Sequence, residues 1–191
     1  MKSNFKIPKH FSPVSLSELS RTWDRVWHEL EKFGFTSRKL ETCQVYLGII
    51  DYAYGYQRFG DRPAGRACGD IVLPRVSFSQ WKSYFYGMKK ESVLDVLRHE
   101  YGHAYADVNQ RRIETKRFEK VFGGPHDITY SGGVEYNPEY HVTEYAAEST
   151  AEDFAELFWK YLKHKGKLPK HHQTNPIIKK WQFIESLRKK R

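Results

Sequence analysis

Apolar residues recur at helical spacing from Leu16 to Phe33, taking in Leu19, Trp23, Val26, Trp27 and Leu30. A period near 3.6 marks an amphipathic helix that buries one stripe against a core. Its ends are signalled as well. Ser15 with Glu18 three places on reads as a capping box, and Gly34 supplies the stop. Residues 45–53 then form an apolar, β-branched and aromatic stretch that predicts a buried strand. Residues 58–69, rich in Gly, Pro and charge, read as a loop. Residues 70–78 predict a second strand, and Pro74 within it, lacking an N–H for the ladder, points to a sheet edge. Residues 81–90 carry no decisive period.

Helical spacing returns over residues 91–109, where Val93, Leu94, Val96, Leu97, Tyr101 and Ala104 supply an apolar face. Residues 111–122 predict a further helix, stopped by Gly123, Gly124 and Pro125. The stretch from there to Tyr145, with Gly132-Gly133 and Asn137-Pro138, is irregular and long enough to suggest a functional reason. Ser149 and Thr150 each stand three residues before an acid, Glu152 and Asp153. They open a helix with Phe154, Leu157, Phe158, Tyr161 and Leu162 on one face, ended by Gly166 and Pro169. Asn175-Pro176 begins a last helix carrying Ile177, Ile178, Trp181, Ile184 and Leu187.

With 191 residues, 39% hydrophobic and 16% aromatic, the chain fits one folded domain (1–191) able to bury its core as a monomer. Cys43 and Cys68 stand far apart in sequence and outside CxxC spacing, so neither a disulfide framework nor a thiolate metal site is expected. Residues 1–19 have no apolar leader core, and no run reaches the length of a membrane span, so a cytoplasmic location without membrane partners is expected. The net charge of +9 is unevenly placed. Residues 160–191 hold 11 Lys and Arg against Glu185 alone, a balance of +10, which leaves −1 for the rest. Such a segment reads first as a solvated, solubilising surface, and nucleic acid is not the expected partner.

The chemistry-bearing motif is His99-Glu100-Tyr101-Gly102-His103, inside the helix of residues 91–109. Residues four apart share a helix face, so both imidazoles can reach one metal ion, while Glu100 stands about 100° around. In this motif the glutamate holds a water against the metal and takes its proton. With nine His and 15 Glu in the chain, an accidental match has a chance of roughly 3%, so the pattern alone is suggestive. A catalytic site needs a third protein ligand. A compact HExxHxxGxxH site is excluded, because Ala106 and Asn109 stand where Gly and His are required. Asp107, four past His103, reads as an outer-shell or solvent-facing acid. Glu152 is the better candidate, with Glu156 one turn on accepting an N–H from a ligand histidine, since two carboxylates at i and i+4 repel unless a cation sits between them. The alternative is a solvated acidic helix start favoured by the helix dipole.

The run Tyr145-Ala-Ala-Glu-Ser-Thr-Ala-Glu152-Asp-Phe-Ala-Glu156-Leu-Phe158 resembles the third-ligand region of gluzincin-type peptidases related to anthrax lethal factor and the Pro-Pro endopeptidases. It is closer still to bacterial zinc-binding metallopeptidases with an EDFAExF helix. The resemblance covers about a third of the chain, residues 92–162. It implies an α+β, zincin-like domain: a small antiparallel or mixed sheet within residues 1–90, an active-site helix, and a helical C-terminal half over 91–191. It further implies a Zn2+ cofactor on His99, His103 and Glu152, Glu100 as general base, and a peptide or protein substrate added to an edge strand, for which residues 70–78 are the candidate. Tyr145, seven residues before Glu152, would donate to the developing oxyanion; a tyrosine that merely anchors its loop is the alternative. His126 and His141 read as exposed histidines that could touch substrate. Tyr52, Tyr54, Tyr56 and Phe59 read as packing. A competing function is a nucleic-acid-associated module that binds through the basic C-terminal segment, with a non-catalytic metal site.

Overall fold

The computed structural model describes residues 13–48, 55–60, 65–75, 92–126 and 135–189. Helix α1 (Leu16–Phe33) starts where Ser15 Oγ accepts the Glu18 N–H at 3.1 Å, and ends at Gly34 with φ 73°. A Cβ at Gly34 would also lie 2.9 Å from the Lys189 carbonyl, because the end of the chain docks there through Lys189 N–H to Gly34 O. Val26 and Leu30 are fully buried, and Trp23 and Trp27 stack beside them at 5.8 Å between ring centroids. Leu16 departs from its predicted burial, with 76% of its surface exposed. At 100° per residue it falls on the half-covered tryptophan flank of the helix, outside the buried line of Val26 and Leu30.

A 3-10 turn (Leu40–Thr42) leads into a three-stranded sheet of order β1-β3-β2, formed by β1 (Gln44–Gly48), β2 (Gly55–Gln57) and β3 (Asp70–Pro74). β1 runs parallel to β3 and β2 antiparallel to it. Two expectations are corrected. β1 is half-covered rather than buried, with Tyr46 exposed, and positions 49–53 of the expected strand lie outside the described residues. The strand carrying Pro74 is the central strand, not an edge. The Arg75 N–H bonds Gly48 O at 3.0 Å, so odd positions of β3 turn their backbone groups to β1 and even positions turn to β2. Pro74 is an even position, and among the described residues the β2 pairing covers Asp70 to Val72, so no described rung needs its N–H.

Six helices occur among the described residues, and with the small mixed sheet they make the α+β mixture expected. α2 (Val93–Val108), capped by Ser92, is the central element and is buried on most sides from Leu97 onward. The single helix expected over 111–122 is two, α3 (Gln110–Ile113) and α4 (Lys116–Phe122). Thr115 breaks it by turning its hydroxyl to the Phe118 N–H as the cap of the second. α5 (Thr150–Lys163), capped by Ser149, and α6 (Asn175–Ser186), capped by Thr174, complete the set. α2 is clamped from two sides. Arg98 makes a paired contact to Glu29 of α1 at 2.6 and 2.7 Å, and Asp95 receives both Arg98 and Lys163 of α5. Phe35, Tyr105, Phe158 and Tyr161 fill the space between α2 and α5.

Cys43 and Cys68 are buried free thiols that meet in the core. Part of the basic segment is structural: Lys163, Lys180 and Arg188 bond Asp95, Asp153 and the Phe33 carbonyl. No helix among the described residues is long and apolar enough to cross a membrane.

Candidate metal centre

α2 turns His99 and His103 toward α5, and Gly102 between them lets the two helices close. A Cβ at Gly102 would stand 3.0 Å from Ala155 Cα and 3.4 Å from Phe158 Cβ, a fit that would require the α5 backbone to give by a few tenths of an ångström. That approach brings Glu152, in the first turn of α5, onto both imidazoles. His99 Nε2 lies 3.1 Å from His103 Nε2 and 3.1 Å from Glu152 Oε2, and His103 Nε2 lies 3.3 Å from the same oxygen. His99, His103 and Glu152 therefore form a group that could hold a metal ion.

The outer contacts fix the ring of His99. Its Nδ1 is 2.8 Å from Glu156 Oε1, and a carboxylate only accepts, so Nδ1–H donates there. Nε2 faces the Glu152 carboxylate and His103 Nε2, a position that takes a proton or, in its place, a metal ion. The electrostatics agree. Burial opposes charge on His99, yet Glu152 and Glu156 raise its proton affinity to about 10. Burial likewise opposes charge on Glu152, and the two imidazoles still hold its carboxyl well below the usual carboxylate range. Glu156 is also held low against burial, by His99, the Thr143 hydroxyl at 2.8 Å and Trp159. Thr143 Oγ1 in turn accepts the Ala146 N–H, which ties the 3-10 turn Tyr145–Ala147 to the same cluster.

Tyr145 projects from that turn with 46% of its surface exposed, its ring 5.7 Å from that of His99 and its hydroxyl on Glu152. Burial and the surrounding Glu152, Glu148 and Glu100 push its phenol up, so it stays a proton donor. Glu100 is buried on the side of α2 facing the sheet, where its Oε2 accepts the Tyr56 N–H at 2.6 Å. Tyr56 was expected only to pack. Nothing in its aromatic neighbourhood signals a backbone contact to Glu100, because that contact depends on where β2 lies. Asp107 is buried and engaged by the Tyr56 hydroxyl at 2.5 Å and Arg58 Nε at 2.8 Å, so the solvent-facing alternative for it fails. Tyr52 and Tyr54 lie outside the described residues.

The loop histidines are corrected. His126 is not exposed; it is buried among the rings of Phe118 and Phe154. His141 is half-buried, and burial, then Lys180, lower its proton affinity to about 4. The folded state thus refuses a proton that the unfolded chain takes near pH 6.5. Stability from this group is complete above that pH and lost as pH falls toward about 4. Urea midpoints measured across that window should fall for wild type and fall less steeply for His141→Gln.

The chain matches no family model, no curated protein and no solved structure.

Proposed function

We propose that the chain is a zinc-dependent peptidase of gluzincin type with a zincin-like domain. The observation that carries the reading is the triangle of His99 Nε2, His103 Nε2 and Glu152 Oε2, with sides of 3.1 to 3.3 Å. Tetrahedral bonds of about 2.0–2.1 Å to zinc place neighbouring ligand atoms roughly 3.3–3.4 Å apart, so the triangle needs almost no adjustment. The two-imidazole, one-carboxylate donor set also suits zinc and leaves a fourth position open. The run shared with gluzincins over residues 145–158 adds support from the sequence side.

A zinc ion held there would supply Lewis acidity toward a carbonyl oxygen and toward water. Glu100, next to His99 on α2 but outside the ligand triangle, takes the proton of the attacking water and delivers it to the leaving amine. The Tyr145 hydroxyl donates to the oxyanion that develops on the carbonyl oxygen. Glu156 and Thr143 keep His99 in the tautomer that offers Nε2 to the ion. β3, the candidate strand for an added peptide, is paired by β1 on one side and by β2 on the other, so it offers no free edge along Asp70–Val72.

The test is incubation of the zinc-loaded protein with a degenerate peptide library, read by mass spectrometry, beside Glu100→Gln with its zinc content measured. Cleavage by the wild type, lost by a factor of at least about a hundred in a Glu100→Gln protein that keeps its zinc, is expected. Cleavage persisting in that variant removes Glu100 as the base.

A further inference from the structure

Glu100 and Asp107 are seven residues apart on α2, two turns along and within about 20° of one another around the helix. Tyr56 lies along that face and touches both. Its backbone N–H donates to Glu100 Oε2 at 2.6 Å and its hydroxyl donates to Asp107 Oδ2 at 2.5 Å. The hydroxyl also accepts the Gly69 N–H at 2.8 Å, and Arg58 Nε holds the other Asp107 oxygen at 2.8 Å. Two glycines make room for this. Gly55 has φ 109°, a conformation other residues avoid, and a Cβ at Gly69 would stand 2.9 Å from Tyr56 Cζ and 2.0 Å from Gln57 O. The even–odd alternation of β3 explains why the Tyr56 N–H is free for this contact. Tyr56 pairs with Ile71, an odd position whose backbone serves β1, so the Tyr56 backbone turns away from the sheet and toward α2.

We propose that Tyr56 and Asp107 are positioning residues for Glu100: Asp107 fixes the phenol, the phenol fixes the residue-56 peptide, and that peptide fixes the carboxylate. The inference rests on the peptidase reading for the role of Glu100, and its geometry stands without the metal. A general base acts only when held at a defined point relative to the proton it takes, and outer-shell contacts supply that hold.

The experiment uses the isotope-labelled full chain and follows amide hydrogen exchange at position 56 in Tyr56→Phe and Asp107→Asn, without metal. Exchange at this amide should quicken at least about tenfold while amides of α1 and α5 keep their wild-type rates, which a general loss of stability would not produce. The zinc-loaded variants should retain zinc and bind acetohydroxamic acid, which gives up its hydroxyl proton to Glu100 on binding, about tenfold more weakly. Unchanged exchange at position 56 and unchanged acetohydroxamate affinity in both folded variants overturn the proposal. Should Tyr56→Phe fail to fold, the isosteric Asp107→Asn decides. Equal acetohydroxamate binding by wild type and Glu100→Gln sinks the peptidase reading instead, and the metal-free exchange result still decides whether Tyr56 holds Glu100.

Discussion

Glu152→Ala is expected to lose zinc affinity by more than a hundredfold, whereas Glu156→Gln should lose between about ten- and a hundredfold. The difference follows from position. Glu152 Oε2 is one corner of the triangle proposed to hold the ion, 3.1 and 3.3 Å from the two imidazole nitrogens, so its removal would leave only the two histidines of one helix. Of the two imidazoles Glu156 meets only that of His99, at its far nitrogen and 2.8 Å, and its loss frees the ring to rotate and change tautomer without removing a donor. Competition against a chromophoric chelator, with elemental analysis of the dialysed proteins, measures both. A Glu152→Ala protein within tenfold of wild type would move the third ligand elsewhere and take the gluzincin reading with it. A Glu156→Gln loss as large as that of Glu152→Ala would make both carboxylates ligands.

The second large effect is structural. Lys180→Met should destabilise the fold by about 3–5 kcal/mol, a large part of a typical total of about 5–15 kcal/mol. Lys180 and Asp153 are exposed by only 3% and 2%, and Lys180 Nζ lies 2.5 Å from Asp153 Oδ2 and 2.6 Å from the Tyr140 carbonyl. Burial already pushes the Asp153 carboxyl up, to about 7, against the pull of Lys180. Without the lysine, that carboxyl stays buried with no cation, and the Tyr140 carbonyl loses the donor that anchors the segment leading to Thr143 and Tyr145. The double variant Lys180→Met/Asp153→Leu should recover most of the loss, since an apolar pair of similar volume carries no desolvation cost. Urea unfolding of the two variants distinguishes the cases. A loss below about 1 kcal/mol for Lys180→Met would mean that the pair behaves as a solvated surface contact.

The elements that could be read from the chain are those whose signals are local. Ser15 and Glu18, Ser149 and Glu152, and Asn175-Pro176 mark helix starts within a single turn, and the apolar period of α1 and α5 lies within each helix. The pair His99 and His103 belongs to the same class, because four residues on a helix fix two side chains on one face wherever that helix lies. Glu152 and Glu156 stood out through their spacing and the run that resembles gluzincins, and packing at Gly102 set their distance to the imidazoles. What tertiary structure alone decided was everything that depends on which segments meet. Strand order is one case: Pro74 argued for an edge, yet β3 is central because β1 and β2 pair with it from both sides. The burial of Asp107 and His126 is another, since the Tyr56 phenol and the Phe118 and Phe154 rings that cover them come from distant positions. The contact from Tyr56 to Glu100 is the clearest: a backbone N–H carries no side-chain signature, and its direction follows from sheet register, a long-range property that no local pattern encodes.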